Sequence, residues 1–112
     1  MIPLNSSQGR TVMIRYEVQE DLSPHWYATV EARADYSLQP LAVLFGEAAL
    51  RLTSQPAPSG ASLRYCCEFS ARNAAGTKWH FKSLNEDPLV AIDDTIARIR
   101  RTASRFRTAG RP

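Results

Sequence analysis

The chain has 112 residues, 44% hydrophobic, 9% aromatic and 22% charged. This suits one domain built on one core, with a composition ordinary for a globular protein. The longest apolar run, residues 41–45, falls far short of the roughly 20 residues a membrane helix needs, and residues 1–10 lack the charged start and apolar run of a secretory signal.

Fourteen Lys and Arg against eleven Asp and Glu give a net charge of +3. The distribution is uneven. Residues 98–112 carry six arginines (Arg98, Arg100, Arg101, Arg105, Arg107 and Arg111) and no acid, which leaves the remainder at −3. A basic end on an otherwise acidic chain points to nucleic acid, although cations also complement a helix C-terminus electrostatically. Cys66 and Cys67 are adjacent, so a bond between them would be strained, and two thiols cannot enclose a zinc ion. The expectation is two reduced thiols in a cytoplasmic protein, one pointing inward and one outward.

In chain order, residues 1–10 are polar and turn-rich (Pro3, Asn5, Gly9) and read as a flexible leader. A single domain is expected over 11–107, followed by a flexible tail over 108–112. In residues 11–19, Val12, Ile14, Tyr16 and Val18 alternate with Arg15 and Glu17, the pattern of a half-buried strand. Ser23 and Pro24 suit a helix start. Trp26, Val30, Ala34 and Leu38 then recur every fourth residue, yet the same segment also alternates as a strand would. Pro40 ends any helix at about Leu38 or Gln39. Residues 41–54 fit either a short helix or a strand over 48–54 after a turn at Gly46, and residues 55–60 read as a loop.

The second half is better defined. Leu63, Tyr65, Cys67 and Phe69 share one strand face, and Trp79 and Phe81 continue it after a turn over 72–76. Closing the hairpin on that turn pairs Phe69 with Trp79 and Cys67 with Phe81, with Glu68 facing His80. Asn85, Glu86 and Asp87 cap a last helix that opens with Pro88. Its stripe is Leu89, Ile92, Ile96, Ile99, Ala103 and Phe106, with Asp93 and Asp94 early and arginines late, as the helix dipole favours. Arg98, Arg101 and Arg105 project together, Arg100 and Arg107 form a second row, and such guanidinium rows, with no acid among them, match phosphate oxygens.

No catalytic constellation emerges, and the protein is not expected to be an enzyme. His25 and His80 have no metal-type spacing, the five glycines form no phosphate loop, and Cys66 has no oriented base, although Lys82 across the sheet would favour its thiolate. Trp26 and Trp79 read as core. No cofactor, small-molecule substrate or membrane partner is expected, and the oligomeric state is not specified by the sequence.

Glu86, Asp87, Ala91, Ile92, Asp93 and Asp94, followed by Ile96, Arg98, Arg101 and Arg105, resemble the last helix of the ribosome hibernation-promoting factors and ribosome-associated inhibitor proteins. The hairpin from Tyr65 through Asn73 and Gly76 to Ser83 resembles that family's as well, as do the first strand, the Ser-Pro helix start, and Val30 and Arg33 of the first helix. The resemblance covers about residues 11–107 and matches the family's short form, without its added dimerisation domain. It implies an α+β fold of two layers, a four-stranded sheet with two helices on one face in the order β-α-β-β-β-α, against the alternative β-β-α-β-β-α. It makes residues 24–39 a helix and 48–54 a strand. It further implies a ribosome-associated RNA-binding protein that docks on small-subunit rRNA and inhibits translation under stress or in stationary phase. The expected rRNA contacts are Arg98, Arg101, Arg105, Arg100, Arg107, Arg33 and Lys82. Residues 24–39 total −1, so the first helix contributes little positive charge. The competing reading is a protein-binding module, antitoxin-like or an adaptor, on the same fold.

Overall fold

The structure, a computed structural model, describes residues 14–109 apart from 59, 61 and 74, and their side chains except those of 42, 43 and 106–109. Its elements in order are β1 (Ile14–Val18), α1 (His25–Leu38), a short 3-10 stretch (Gln39–Leu44), β2 (Phe45–Pro56), β3 (Leu63–Asn73), β4 (Lys78–Asn85) and α2 (Pro88–Ala109). The leader expected over 1–10 lies outside the described residues, as do residues 110–112 of the expected tail.

The four strands form one sheet in the order β1-β2-β3-β4, with β1 parallel to β2 and the other pairs antiparallel. The parallel pair decides the ambiguous segment. Parallel neighbours need a crossover of a dozen or more residues, and α1 supplies it, so the hairpin alternative and the β-β-α-β-β-α order are excluded. Val30, Ala34 and Leu38 of the four-residue stripe are fully buried, and Trp26 packs at the edge of the core. Pro40 falls in the 3-10 stretch just beyond the helix end. Ser23 does not cap α1 with its side chain: the hydroxyl lies 3.1 Å from His25 Nδ1, and its carbonyl accepts from Trp26 N–H instead.

Gly46 is not a turn. The register shifts by one residue between Phe45 and Glu47, and this bulge rotates Phe45 onto the face that carries Ala48, Leu50 and Leu52. Phe45 then meets Phe69 and Trp79 edge-on, with ring centroids 5.4 and 5.2 Å away. The β3–β4 hairpin also differs from its expected closure. Phe69 pairs with Phe81, Cys67 with Ser83 and Glu68 with Lys82, a two-residue displacement along β4. Asn73 is the cause. Its side-chain Oδ1 accepts from the N–H groups of Ala75 (3.0 Å) and Thr77 (2.8 Å), which extends β3 to Asn73 and moves the turn one position on. Gly76, at φ +89°, supplies the left-handed residue that this turn requires. A displacement of two preserves the faces, so the inward set is unchanged.

Both helices cover the same face of the sheet, and the core lies between the layers. Leu38, Leu50, Leu52, Phe69, Ile92 and Ile99 are fully buried, each worth about 1.5–3 kcal/mol. Tyr16 of β1 donates its hydroxyl to Asp35 of α1 at 3.1 Å, and burial, reinforced by that carboxylate, pushes the phenol up. Thr95, fully buried on α2, lies within hydrogen-bond distance of the carbonyls of Ala91 (2.9 Å) and Cys67 (3.1 Å), to which its hydroxyl donates, linking helix to sheet.

Candidate nucleic-acid interface

The N-terminus of α2 is closed by Asp87, whose Oδ1 accepts from Leu89 N–H at 2.9 Å, while Asn85 Oδ1 accepts from Asp87 N–H at 2.8 Å. The cap thus leads directly into Pro88, and Ala91, Ile92, Thr95, Ile96, Ile99 and Ala103 form the buried side. With that side fixed, helix geometry places the arginine positions within α2. At about 100° per residue, Arg98, Arg101 and Arg105 run along one shoulder, with Arg100 and Arg107 about 140° away on the other. The two rows are therefore not adjacent tracks on a single face. One runs beside β4, where Arg98 donates to the Lys82 carbonyl at 3.2 Å, and the other faces α1.

The arginines are also not all unopposed, contrary to the sequence expectation. Asp93 and Asp94 lie beyond the first turn of α2, too far along to act on the helix N-terminus. They meet cations instead. Asp93 accepts from Arg33 of α1, with both oxygens 2.8 Å from one guanidinium nitrogen. Asp94 lies 3.6 Å from Arg98, four residues on, and also accepts from Ser83 Oγ. The partners in both ion pairs are half exposed, so each pair is worth at most about 1 kcal/mol. Arg100, Arg101 and Arg105 are exposed and have no ion-pair partner among the described residues. The side chain of Arg107 lies outside the described residues.

Lys82 belongs to the opposite, open face of the sheet. There Glu17, Arg51, Glu68 and Lys82 form one row across all four strands, alternating in sign. Arg51 pairs with Glu17 at 2.9 Å, and Glu68 pairs with His80. This row is largely self-neutralised and does not continue the arginine surface of α2. Cys66 lies on this open face opposite Leu84, not Lys82, and is nonetheless buried. Burial raises its thiol above the ordinary value, against a weaker opposing pull from Lys82, so the environment disfavours the thiolate. Burial pushes the inward Cys67 up to about 12. Both cysteines are free. Among the described residues no three His, Cys, Asp or Glu side chains come together as a metal site would require, and no helix is long and apolar enough to cross a membrane.

Beside the second arginine row, a cleft of about 550 Å³ opens between the end of α1 and the later half of α2. It is lined by Tyr36, Ser37, Pro40, Leu41, Arg100 and Ser104.

No protein-family model matches the chain, and no curated protein matches it in sequence. Solved structures do match. A ribosomal subunit interface protein from Coxiella burnetii aligns with a TM-score of 0.61 at 12% identity, covering 85% of this chain and 97% of that one. The Protein Y N-terminal domain of Thermus thermophilus aligns with a TM-score of 0.56 at 17% identity, covering 83% and 97%. The chain shares its fold with these two structures. At such identities the likeness lies in the backbone and its topology. The α+β architecture and the order β-α-β-β-β-α expected from the sequence are those observed.

The Asp94–Arg98 pair was visible in the sequence as an i, i+4 spacing. The Arg33–Asp93 pair spans sixty residues, and no local pattern reveals it. The cleft at Tyr36 was equally hidden, because it needs the end of α1 beside α2.

Proposed function

We propose that this chain is a cytoplasmic, ribosome-associated RNA-binding protein that docks on small-subunit rRNA and inhibits translation under stress or in stationary phase. It acts by electrostatic docking and steric occupation, without catalysis. The observation that carries the reading is a group of exposed arginines, with no ion-pair partner among the described residues, on the last helix of a fold shared with a ribosomal subunit interface protein. Arg100, Arg101 and Arg105 are the leading phosphate contacts, with Arg107 continuing the second row. Arg33 and Arg98 must first exchange a carboxylate for a phosphate, and Lys82 reaches RNA only from the sheet side. Three contacts at even ~0.5 kcal/mol each amount to roughly tenfold in affinity. The triple variant Arg100→Ala, Arg101→Ala, Arg105→Ala is expected to lose co-sedimentation with small subunits while its far-UV circular dichroism stays unchanged. Undiminished co-sedimentation of a folded triple variant removes the assignment.

A second reading is a protein-binding module on the same fold: with Arg33 held by Asp93, the first helix offers little free positive charge for phosphate. A sucrose gradient of cell lysate separates the two, since only the first places the protein in ribosomal fractions.

A further inference from the structure

Tyr36 is 89% exposed, the most solvent-accessible large hydrophobic residue among those described; Leu63 follows at 51%. On α1 it stands apart from the buried stripe of Val30, Ala34 and Leu38, and its ring takes no part in the core. Tyr36 forms one wall of the cleft beside α2. Its floor is the buried Leu41, and Pro40, in the 3-10 stretch, stiffens the rim. Across from it, Arg100 and Ser104 stand four residues apart on one side of α2, so both present to the same opening. Ser37 adds a second hydroxyl. At about 550 Å³ the cleft has the volume of a small-ligand site, enough for one nucleotide. Its chemistry is an aromatic face, two hydroxyls able to donate or accept, and a guanidinium with no ion-pair partner among the described residues. The acids closest in sequence to its walls are engaged elsewhere: Asp35 with the Tyr16 hydroxyl, and Asp94 with Ser83 and Arg98.

We propose that this cleft takes a single unstacked base of looped or single-stranded RNA, stacked on Tyr36, with Arg100 on the adjoining phosphate and Ser37 and Ser104 at the base edge. The inference rests on the RNA-binding reading above and names the structural class of RNA that reading left open. Bases in an A-form duplex already stack on one another and offer no free face, whereas loops and ends do. Stacking tolerates any base, because every base has a π-face. The site therefore selects strandedness more than sequence, and it makes the second arginine row a reader of exposed bases.

The test uses fluorescence anisotropy with a labelled mixed-sequence single-stranded RNA octamer and the blunt duplex formed from it. The full chain is expected to prefer the single strand. Tyr36→Ala is expected to weaken single-strand binding about tenfold and leave duplex binding unchanged. Tyr36→Phe is expected to retain the preference, since stacking does not need the hydroxyl. Arg100→Ala is expected to weaken both RNAs, because it removes a phosphate contact. Tyr36→Ala binding the octamer as the parent does overturns the proposal. The outcomes also separate this proposal from the functional one. A Tyr36-dependent octamer preference without co-sedimentation overturns ribosome association alone. Co-sedimentation with no Tyr36 dependence on the octamer overturns the base site alone. Binding to neither overturns both.

Discussion

At the scale of single residues, Glu68 shows how the open sheet face holds itself together. It stands on β3 with Lys82 opposite on β4 and Arg51 opposite on β2. His80 Nε2–H donates to its carboxylate. That hydrogen bond is the first reason its carboxyl lies below the usual glutamate range, with partial burial opposing and the charges of His80, Lys82 and Arg51 assisting. A carboxyl depressed on folding stabilises the folded state at every pH above its unfolded value. The contribution fades as pH falls below about 4.5 and is gone once the folded carboxyl has itself been protonated. Glu68→Gln is therefore expected to lower stability modestly at neutral pH and to flatten the acid limb of the stability curve. Urea unfolding between pH 3 and pH 7 measures both effects. An acid limb as steep as the parent's would mean that Glu68 does not carry this linkage. Cys66, two residues earlier, illustrates the other half of the same physics. Neighbouring side chains cover it although it belongs to the open face, so desolvation outweighs the nearby ammonium and the thiol stays protonated.

At the scale of elements, α2 is set by its first turn and its buried stripe. The Asp87 cap satisfies the Leu89 N–H, one of the first-turn N–H groups that no carbonyl of the helix can reach. Asp87→Ala is expected to cost about 1 kcal/mol, read as a fall in the urea midpoint at unchanged slope. A smaller loss than a few tenths would show that Asn85 or water takes over the cap. This element was legible from the residues alone, because cap, proline and apolar period agreed. The elements that were not legible share a physical cause. Alanine fits both a helix and a strand period, so periodicity alone leaves residues 24–39 open; the family resemblance makes them a helix, and the crossover that the parallel pair β1 and β2 demands bears this out. Gly46 marked an irregularity, but only the pairing of β2 with β3 shows it to be a bulge that turns Phe45 inward. The hairpin closure depended on the Asn73 side chain acting as a backbone mimic, which composition alone does not register. For the candidate site, arginine identity and spacing were legible, while their state of pairing was not. Asp93 reaches Arg33 through the packing of two helices, and Tyr36 and Arg100 come to line one cleft by the same packing.

At the scale of the whole molecule, the uneven charge is redistributed by folding. The sequence places six arginines in residues 98–112 against a net −3 elsewhere. The fold then attaches Arg98 to Asp94 and draws Arg33, outside that segment, to Asp93, leaving Arg100, Arg101 and Arg105 as the arginines of α2 without an ion-pair partner among the described residues. The difference is measurable through counterion release. Each RNA phosphate neutralised steepens the dependence of log affinity on log salt by about 0.7 to 0.9. Five contacts would give a slope near −3.5 to −4.5, and the triple arginine variant should lose about 2 to 2.7 of it. The ion pairs supply a stricter prediction of opposite sign. Asp93→Asn removes the carboxylate that occupies Arg33, and the freed guanidinium becomes available to one further phosphate. Affinity for small subunits is then expected to rise at low salt, and the slope to steepen by about 0.7 to 0.9. Because the pair is half exposed, the variant should stay within about 1 kcal/mol of the parent in stability, so a binding change cannot be charged to unfolding. A gain in affinity with no change in slope would assign the effect to lost repulsion at a distance, since only a new phosphate contact changes the number of ions released.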